Sequence, residues 1–594
     1  MRNNNFIVIT NYFNKIEKTD SRLEKEQLIN DMFEILSPYE AAISTYMLIE
    51  RLAPGFIPIE FNMSTKTVIK AIKLTYPSKD VEQIYVKQGD VGKVIEKISN
   101  NDHDTSKSIE EIYGKLWEIA QYSGTGSVDK KINTLSNLLK DVSIPEQKYI
   151  ARLVRGKMRL GCTERTILSA LKKKYPDFID ELEYSLGSCS DIGYLIQTIK
   201  SKGIERIKDI DVTLGIPIGS QLVERATESS EIFKRYDKVF VQPKYDGLRC
   251  QIHIFQDNPS KTYNPIWKNF LKEDEKSKNL FEKDINKETK QVLLYSRNLE
   301  NITDMFPELV EAFKNSSIKN TIFDSEIIGV DAKGNFISFQ ETIKRKRKHN
   351  IKSTVDSIPV QCFIFDCMFH KKSLINTPLE KRLEIIKKIT TKNKNNLIKN
   401  TGSTIVQLDT ELDEIFLKYV NKGLEGVIVK NPKAGYQPGL RNFEWIKLKK
   451  SINKEFSDTV DVVILGYYLG TGRRTQFGIG AFLTGILTNI DDLSFLTIAK
   501  VGTGITDEQL VKIKNKLETI KINKVPSNVK IPKELMPDII VEPDIVCVVE
   551  ADEISKSDLH SSGYSLRFPR LIEFDRQDKN AKDITTLDEI KSSL

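Results

Sequence analysis

Apolar residues return every third or fourth position along the first third of the chain. RLEKEQLINDMFEIL (22–36), IEEIYGKLWEIAQY (109–122) and VDKKINTLSNLLKDV (128–142) repeat them at i, i+3, i+4 and i+7, the stripe that a helix buries against a core. Ser127 reads as an N-cap for the third of these. Gly161 reads as a stop after the helix in SIPEQKYIARLVRGKMRLG. From about 236 the period shortens. KVFVQPKYDGLRCQIHIF, QVLLYSRN, TIFDSEIIGV, VQCFIFDCMF and EGVIVK read as short strands, alternating with helical stretches such as PLEKRLEIIKKIT. Near 451 the pattern changes again: DTVDVVILGYYLGTGRR, GAFLTGILT, LTIAKVGTG and IIVEPDIVCVVEADEIS alternate strands with glycine turns, as a small barrel of the OB type does. The expected fold is multidomain, with an all-α region over 1–215, an α+β region over 216–450 and a β-barrel OB-fold over 451–594. Connectors near 215–235 and 450 are expected as hinges. The polar, Lys/Asn-rich stretches 255–291 and 390–404 are expected as surface loops.

The length of 594 residues suits about three to four domains. With 39% hydrophobic and 29% charged residues the composition is that of a globular chain. There is no run of about 18 apolar residues for a membrane span, and the first residues lack the apolar centre of a signal peptide. A cytoplasmic protein is expected, or a nuclear one in a eukaryote. Cys162, Cys189, Cys250, Cys362, Cys367 and Cys547 form no C-x-x-C pair, and the five histidines form no H-x-x-x-H. Zinc ribbons, thioredoxin chemistry and histidine metal sites are therefore unsupported. The net charge of +8 suits a polyanionic partner but equally a solvated surface. KRKRKH (344–349) reads as a nuclear address or a phosphate-contacting patch.

The stretch VQPKYDGLRC places Lys244 at the end of an apolar strand, before an Asp246–Gly247 turn. A free lysine is protonated near neutral pH and becomes a nucleophile only where its pKa is depressed, as crowding by other cations does. Candidate cations are Arg249, Arg297, Lys430, Lys447 and Lys449, each in or beside a strand, with carboxylates Glu326 and Glu425 on two more. Cations for phosphates, carboxylates for Mg²⁺ and an aromatic such as Phe365 for the base are what a nucleoside triphosphate requires. In the first region Arg152, Arg155, Lys157 and Arg159 crowd one helix end beside a glycine turn, a placement suited to backbone phosphates or to a solvated face.

The ordered set KYDGLR, SRN, FDSE, FIFD, EGVIVK and WIKLKK resembles the motifs of the covalent nucleotidyltransferases. LRFPRLIEFDRQDK resembles the C-terminal motif of ATP-dependent DNA ligases. ARLVRGKMRLGCTERTILSAL, SGTGS and GDVGKVIE resemble the helical DNA-binding domain of the archaeal and eukaryotic replicative ligases. The resemblance spans nearly the whole chain. It implies a nick-sealing enzyme of replication, repair and recombination that uses ATP and Mg²⁺, with Mn²⁺ as an alternative. It would act on nicked duplex DNA as a monomer, with a sliding clamp as a candidate partner. Lys244 would carry AMP, and Asp246 and Gly247 would shape its turn. Gln242, Arg249, Arg297, Glu326, Phe365, Arg441, Lys447, Lys449, Arg576 and Lys579 would bind ATP, with Asp578 beside the last two. Phe365 would stack on adenine, and Glu326 and Glu425 would hold the metal. Arg152, Arg155, Lys157 and Arg159 would hold DNA phosphates, and Phe339 and Phe568 would wedge into the minor groove.

The chain departs from the family at Gln242, where glutamate is common, at Leu248, in the long 255–291 stretch and at Glu573, where arginine is common. Gln242 is expected to loosen the choice between adenine and guanine. A capping guanylyltransferase would not explain the helical first third, an NAD⁺-dependent ligase would need zinc cysteines, and an RNA ligase usually lacks the DNA-binding domain. A non-catalytic DNA-binding scaffold would have no reason to keep Lys244, Glu326, Glu425 and Lys447.

Overall fold

The computed structural model describes residues 4–592 except 78, 100–106, 257–262, 272–289, 332, 338–340, 343–344, 346–357, 392–394, 450–458, 471, 489–493 and 552. The chain forms two compact units, Met1–Lys449 and Lys450–Leu594. No helix among the described residues is long and apolar enough to cross a membrane.

Helices from Phe6–Lys18 to Ile192–Lys202 build the first region. Pro38–Leu48 is its central helix, buried from Glu40 onward. Several starts are fixed by reciprocal Ser–Glu caps, at Ser37–Glu40, Ser108–Glu111 and Ser143–Glu146. Ser127 proves to be the first helical residue, because Gly126 takes the cap position at φ 76°. The basic helix Ile144–Arg155 ends at Gly156 with φ 71°, short of Gly161. Glycine there supplies the left-handed residue that terminates a helix.

Among the described residues these strands follow: β1 Leu222–Arg225, β2 Val239–Lys244, β3 Leu248–Phe255, β4 Gln291–Ser296, β5 Thr321–Gly329, β6 Val360–His370, β7 Lys372–Ser373, β8 Ile398–Asn400, β9 Thr404–Val406, β10 Gly426–Lys430 and β11 Arg441–Lys449. One sheet runs β1-β11-β10-β2-β9. The other runs β4-β3-β5-β6-β7, with β8 against β6. Among the described residues of these two sheets, β1–β11 and β6–β8 pair in parallel and the other pairs are antiparallel.

Two expectations fail here. The stretch 215–235, expected as a hinge, is stitched into the fold. Gly219 N–H donates to Gly187 O at 2.7 Å, Gly439 N–H to Gly219 O at 2.9 Å, and Leu222 N–H to Leu440 O at 2.8 Å. A Cβ on Gly187 would lie 2.4 Å from Pro438 O, so this backbone junction needs glycine. Buried side chains complete it: Gly215 N–H donates to His253 Nδ1 at 3.1 Å, and Tyr295 O–H to Gly215 O at 2.6 Å. Burial keeps His253 neutral, its pKa lowered to about 3, which leaves Nδ1 free to accept. Nor is 255–291 simply a surface loop. Its described part carries Tyr263, Ile266 and Trp267 into the helical core, with Trp267 fully buried.

In the second unit, strands Val460–Tyr468, Ala481–Leu487 and Phe495–Val501 run in succession. Val546–Glu550 joins Val460–Tyr468 to Arg570–Phe574. An isolated bridge between Thr503 and Arg570 links the two ends of this sheet, which curls into a half-barrel. Helix Asp507–Thr519 packs Leu510, Ile513 and Leu517 into its core.

Candidate active site

Sheet register gathers the cations. On one face of the first sheet Gln242 on β2, Ile428 on β10, Lys447 on β11 and Arg225 on β1 lie in one row. Lys244, Gly426 and Lys449 form the next. Partners in a ladder point to the same side, so Lys244, Lys447, Lys449 and Arg225 share that face. Gly426 has φ 144°, and a Cβ there would lie 2.3 Å from Leu448 O. Only glycine fits between the two lysines. Glu425, the residue before it, contacts Lys244 Nζ through one oxygen and takes Lys449 Nζ at 3.3 Å on the other. The found partner of Lys244 is thus a carboxylate. Burial works to raise the Glu425 pKa, but Lys244 and Lys449 hold it below the usual range. Lys447 is held low by burial, then by Lys449, Lys244, Arg441 and Arg225.

The second sheet supplies the opposite wall. Arg249 on β3 lies across from Glu326 on β5. Its guanidinium grips Asp324 through two bonds of 3.1 and 2.6 Å and donates to Gln221 O at 2.7 Å. Tyr436 O–H donates to the same carboxylate at 2.9 Å. Arg249 is therefore an anchored cation with most of its donors in use. Gly247 brings this wall close to Lys244: a Cβ there would meet Ile327 O at 2.6 Å and Glu326 Cγ at 2.9 Å. Burial pushes the Glu326 pKa up to about 8, outweighing Lys244 and Arg249.

Phe365 sits where β6 slips register against β5, between Ile364 and Asp366, and such a bulge re-aims a side chain. Its ring lies 4.7 Å from Lys430 Nζ, which is also 3.7 Å from the Trp445 ring. Burial lowers the Lys430 pKa to about 7, against the pull of Asp366 and Asp324. Gln242 is buried and donates Nε2–H to Phe365 O at 3.3 Å. This bond sets the direction of the Gln242 amide. Asp366 is itself clamped by Arg382 at 2.8 and 3.1 Å. Arg297, in the turn after β4, and Arg441, opening β11, are exposed.

No cluster of three His, Cys, Asp or Glu that could hold a metal exists among the described residues. Glu326 and Glu425 nevertheless interact electrostatically. Two neighbouring carboxylates beside a face of lysines could hold Mg²⁺, an ion that takes most of its remaining ligands from phosphates and water.

The basic helix end corrects one expectation. Arg152 is completely buried, held by Glu17 at 2.8 and 3.0 Å and by Asp90 at 3.1 Å. It cannot also reach a DNA phosphate. Instead it joins GDVGKVIE to ARLVRGKM, because Asp90 caps the helix Val91–Ile98 and also takes Arg159 Nε at 2.5 Å. Arg155 is half-buried and donates to Thr65 Oγ1 at 2.6 Å. Lys157 and Arg159 are exposed. Phe339 and most of KRKRKH lie outside the described residues. In the second unit Phe568 is 71% exposed, at φ 52°. Arg576 pairs with Asp578 at 2.7 and 2.5 Å, and Lys579 with Asp461 at 2.5 Å.

Sequence reasoning passed over Asp324, Tyr436, Trp445 and Arg225. Asp324 was visible within FDSE. Arg225 carried no signal, because VERA does not read as a strand.

Three sequence families match this chain: "DNA ligase N terminus" over 5–172, "ATP dependent DNA ligase domain" over 283–449 and "ATP dependent DNA ligase C terminal region" over 475–579. A "Probable DNA ligase" of Dictyoglomus turgidum is 38% identical over 597 residues, covering 98% of this chain and 96% of that protein. A "DNA ligase" of Sulfolobus acidocaldarius is 32% identical, covering 98% and 97%. The solved structure "Pmar-Lig_Pre." shares the fold at a TM-score of 0.55 and 18% identity, over 95% of this chain and 98% of that one.

Proposed function

Because this chain belongs to the ATP-dependent DNA ligases, we propose that it seals 3′-OH/5′-phosphate nicks in duplex DNA through a lysine–AMP intermediate on Lys244, in replication, repair and recombination. The observation that supports this most is Lys244 touching Glu425 and sharing one sheet face with Lys449 and Lys447. In the first step the Nζ lone pair attacks the α-phosphorus of ATP. The N–P bond forms as the bond to the β-phosphate oxygen breaks, and pyrophosphate leaves. Glu425, in contact with Lys244 Nζ, would take the proton that Nζ loses. Phe365 and Trp445 wall the base, and Gln242 Oε1 accepts from the adenine amino group. In the second step a 5′-phosphate oxygen of the nick attacks the same phosphorus and frees Lys244. In the third the 3′-OH attacks the 5′-phosphorus and AMP leaves. Glu326 and Glu425 would hold Mg²⁺, which offsets phosphate charge. Lys157, Arg159 and Arg155 are the phosphate contacts retained in the first region, and exposed Phe568 is the wedge retained in the second.

The test is incubation with α-labelled ATP and Mg²⁺, followed by a nicked duplex. Acid-labile label on the chain, its loss in Lys244→Ala, and sealing of the nick are expected. Label that persists at another lysine in that variant sinks the assignment.

A further inference from the structure

Phe255 and Gln291 face each other at the ends of β3 and β4, so a two-residue turn would suffice to join them. The chain instead leaves the sheet and returns. The described part of this excursion, 263–271, lies across the helical region. Tyr263 O–H and Trp267 Nε1–H donate to Asp191 Oδ2 at 2.5 and 3.0 Å. Tyr46 O–H and Tyr194 N–H donate to Oδ1 at 2.6 and 3.0 Å. Gln197 accepts from Ile266 N–H and donates to Asn264 O, both at 3.0 Å. Gln121 donates to Phe270 O at 2.7 Å, and the Phe270 ring packs 4.9 Å from Tyr113. Every one of these partners belongs to a helix or cap of the first region. A buried carboxylate with four donors is costly to expose, so the segment is bound in place rather than laid on a surface.

We propose that this excursion is a latch, and that Tyr263 and Trp267, acting through Asp191, are positioning residues for the nick. With the glycine junction at 187, 219 and 439, the latch makes the helical region and the catalytic cleft a single body. A duplex gripped by Lys157 and Arg159 then meets the Lys244 face at a fixed offset, and rearrangement during the reaction is left to the connection between the two compact units. Positioning of a nick rests on the proposed function; the latch itself does not.

Two full-length variants test it: residues 256–290 replaced by Asn-Gly, and Trp267→Ala with Tyr263→Phe. Self-adenylylation should stay within about two-fold of wild type. The KM for a nicked duplex should rise about ten-fold, with kcat little changed, because preorganisation is what is lost. Native trypsin digestion should open new cleavage among Lys202, Arg206 and Lys208. Tyr263→Phe alone, which keeps the ring, should shift KM much less. An unchanged KM in both variants overturns the proposal. So does equal loss of adenylylation and sealing, which marks a folding role. Should the wild type neither take label nor seal, the ligase reading fails by itself. The trypsin pattern then decides the latch, and unchanged cleavage overturns it.

Discussion

Glu326 is the residue at which stability and function oppose each other. Its pKa stands at about 8 in the folded chain against an ordinary 4.5, because burial outweighs Lys244 and Arg249. A carboxyl raised in this way favours folding below pH 4.5, and that contribution is lost as pH climbs through 8. The span corresponds to about 5 kcal/mol at about 1.4 kcal/mol per unit. Glu326 is partly exposed, so screening reduces the expected net to about 2–3 kcal/mol. Glu326→Gln keeps the shape and removes the ionisation. Near pH 4.5 the variant should match the wild type. Above pH 8 it should be the more stable by that amount, while being inactive. The three tryptophans, Trp117, Trp267 and Trp445, all lie in the first unit, so fluorescence-detected denaturation reports that unit alone. A stability difference that stays flat from pH 5 to 9 refutes the reasoning. The same linkage means that Mg²⁺·ATP binding below pH 8 should release a proton, read as a buffer-dependent binding enthalpy.

Arg152→Ala should destabilise the first unit by about 1.5–3 kcal/mol, because it removes the buried donor shared by Glu17 and Asp90, which are left with Lys148 and Arg159. Lys157→Ala and Arg159→Ala should each lower the log–log salt slope of DNA binding by about one instead; an Arg152 variant of normal stability and reduced slope would reverse this assignment. Gln242, whose NH₂ gives one of its two hydrogens to Phe365 O and so turns Oε1 the other way, should keep ATP ahead of GTP by about 1–3 kcal/mol, the cost of an unpaired buried group, contrary to the looser choice its sequence suggests; equal labelling by both nucleotides refutes this. Ala at both Arg576 and Lys579 should slow self-adenylylation by about two to three orders of magnitude while leaving a pre-adenylylated nick sealable, since no pyrophosphate remains to be oriented; equal damage to both reactions would place these residues on the nick.

Period and motif spacing made the helical first third, the strand-rich remainder and Lys244 legible, because helix stripes, short β-branched runs and Asp-Gly turns are local signals. What stayed hidden was non-local. The register that sets Arg225 opposite Lys447 depends on a parallel strand whose sequence is polar. Arg152 looked like a surface cation because its two carboxylate partners lie far away in the chain, at 17 and 90. The 255–291 stretch looked solvated because its average composition is polar, and averaging concealed Tyr263, Ile266 and Trp267 within it. Gln242 was ambiguous as long as the direction of its amide was unknown, and the carbonyl of Phe365 decides that direction.

The cysteines have a practical consequence. Cys189, Cys250, Cys362, Cys367 and Cys547 are buried and unpaired. Burial pushes even the partly exposed Cys162 up to about 11, so only about one thiol in a thousand or fewer is thiolate near pH 7.5. Maleimide dyes should therefore pass over the native chain. One cysteine introduced on the surface of each compact unit would give a clean donor–acceptor pair without clearing any natural thiol, and single molecules could be watched as they take up nucleotide and then DNA.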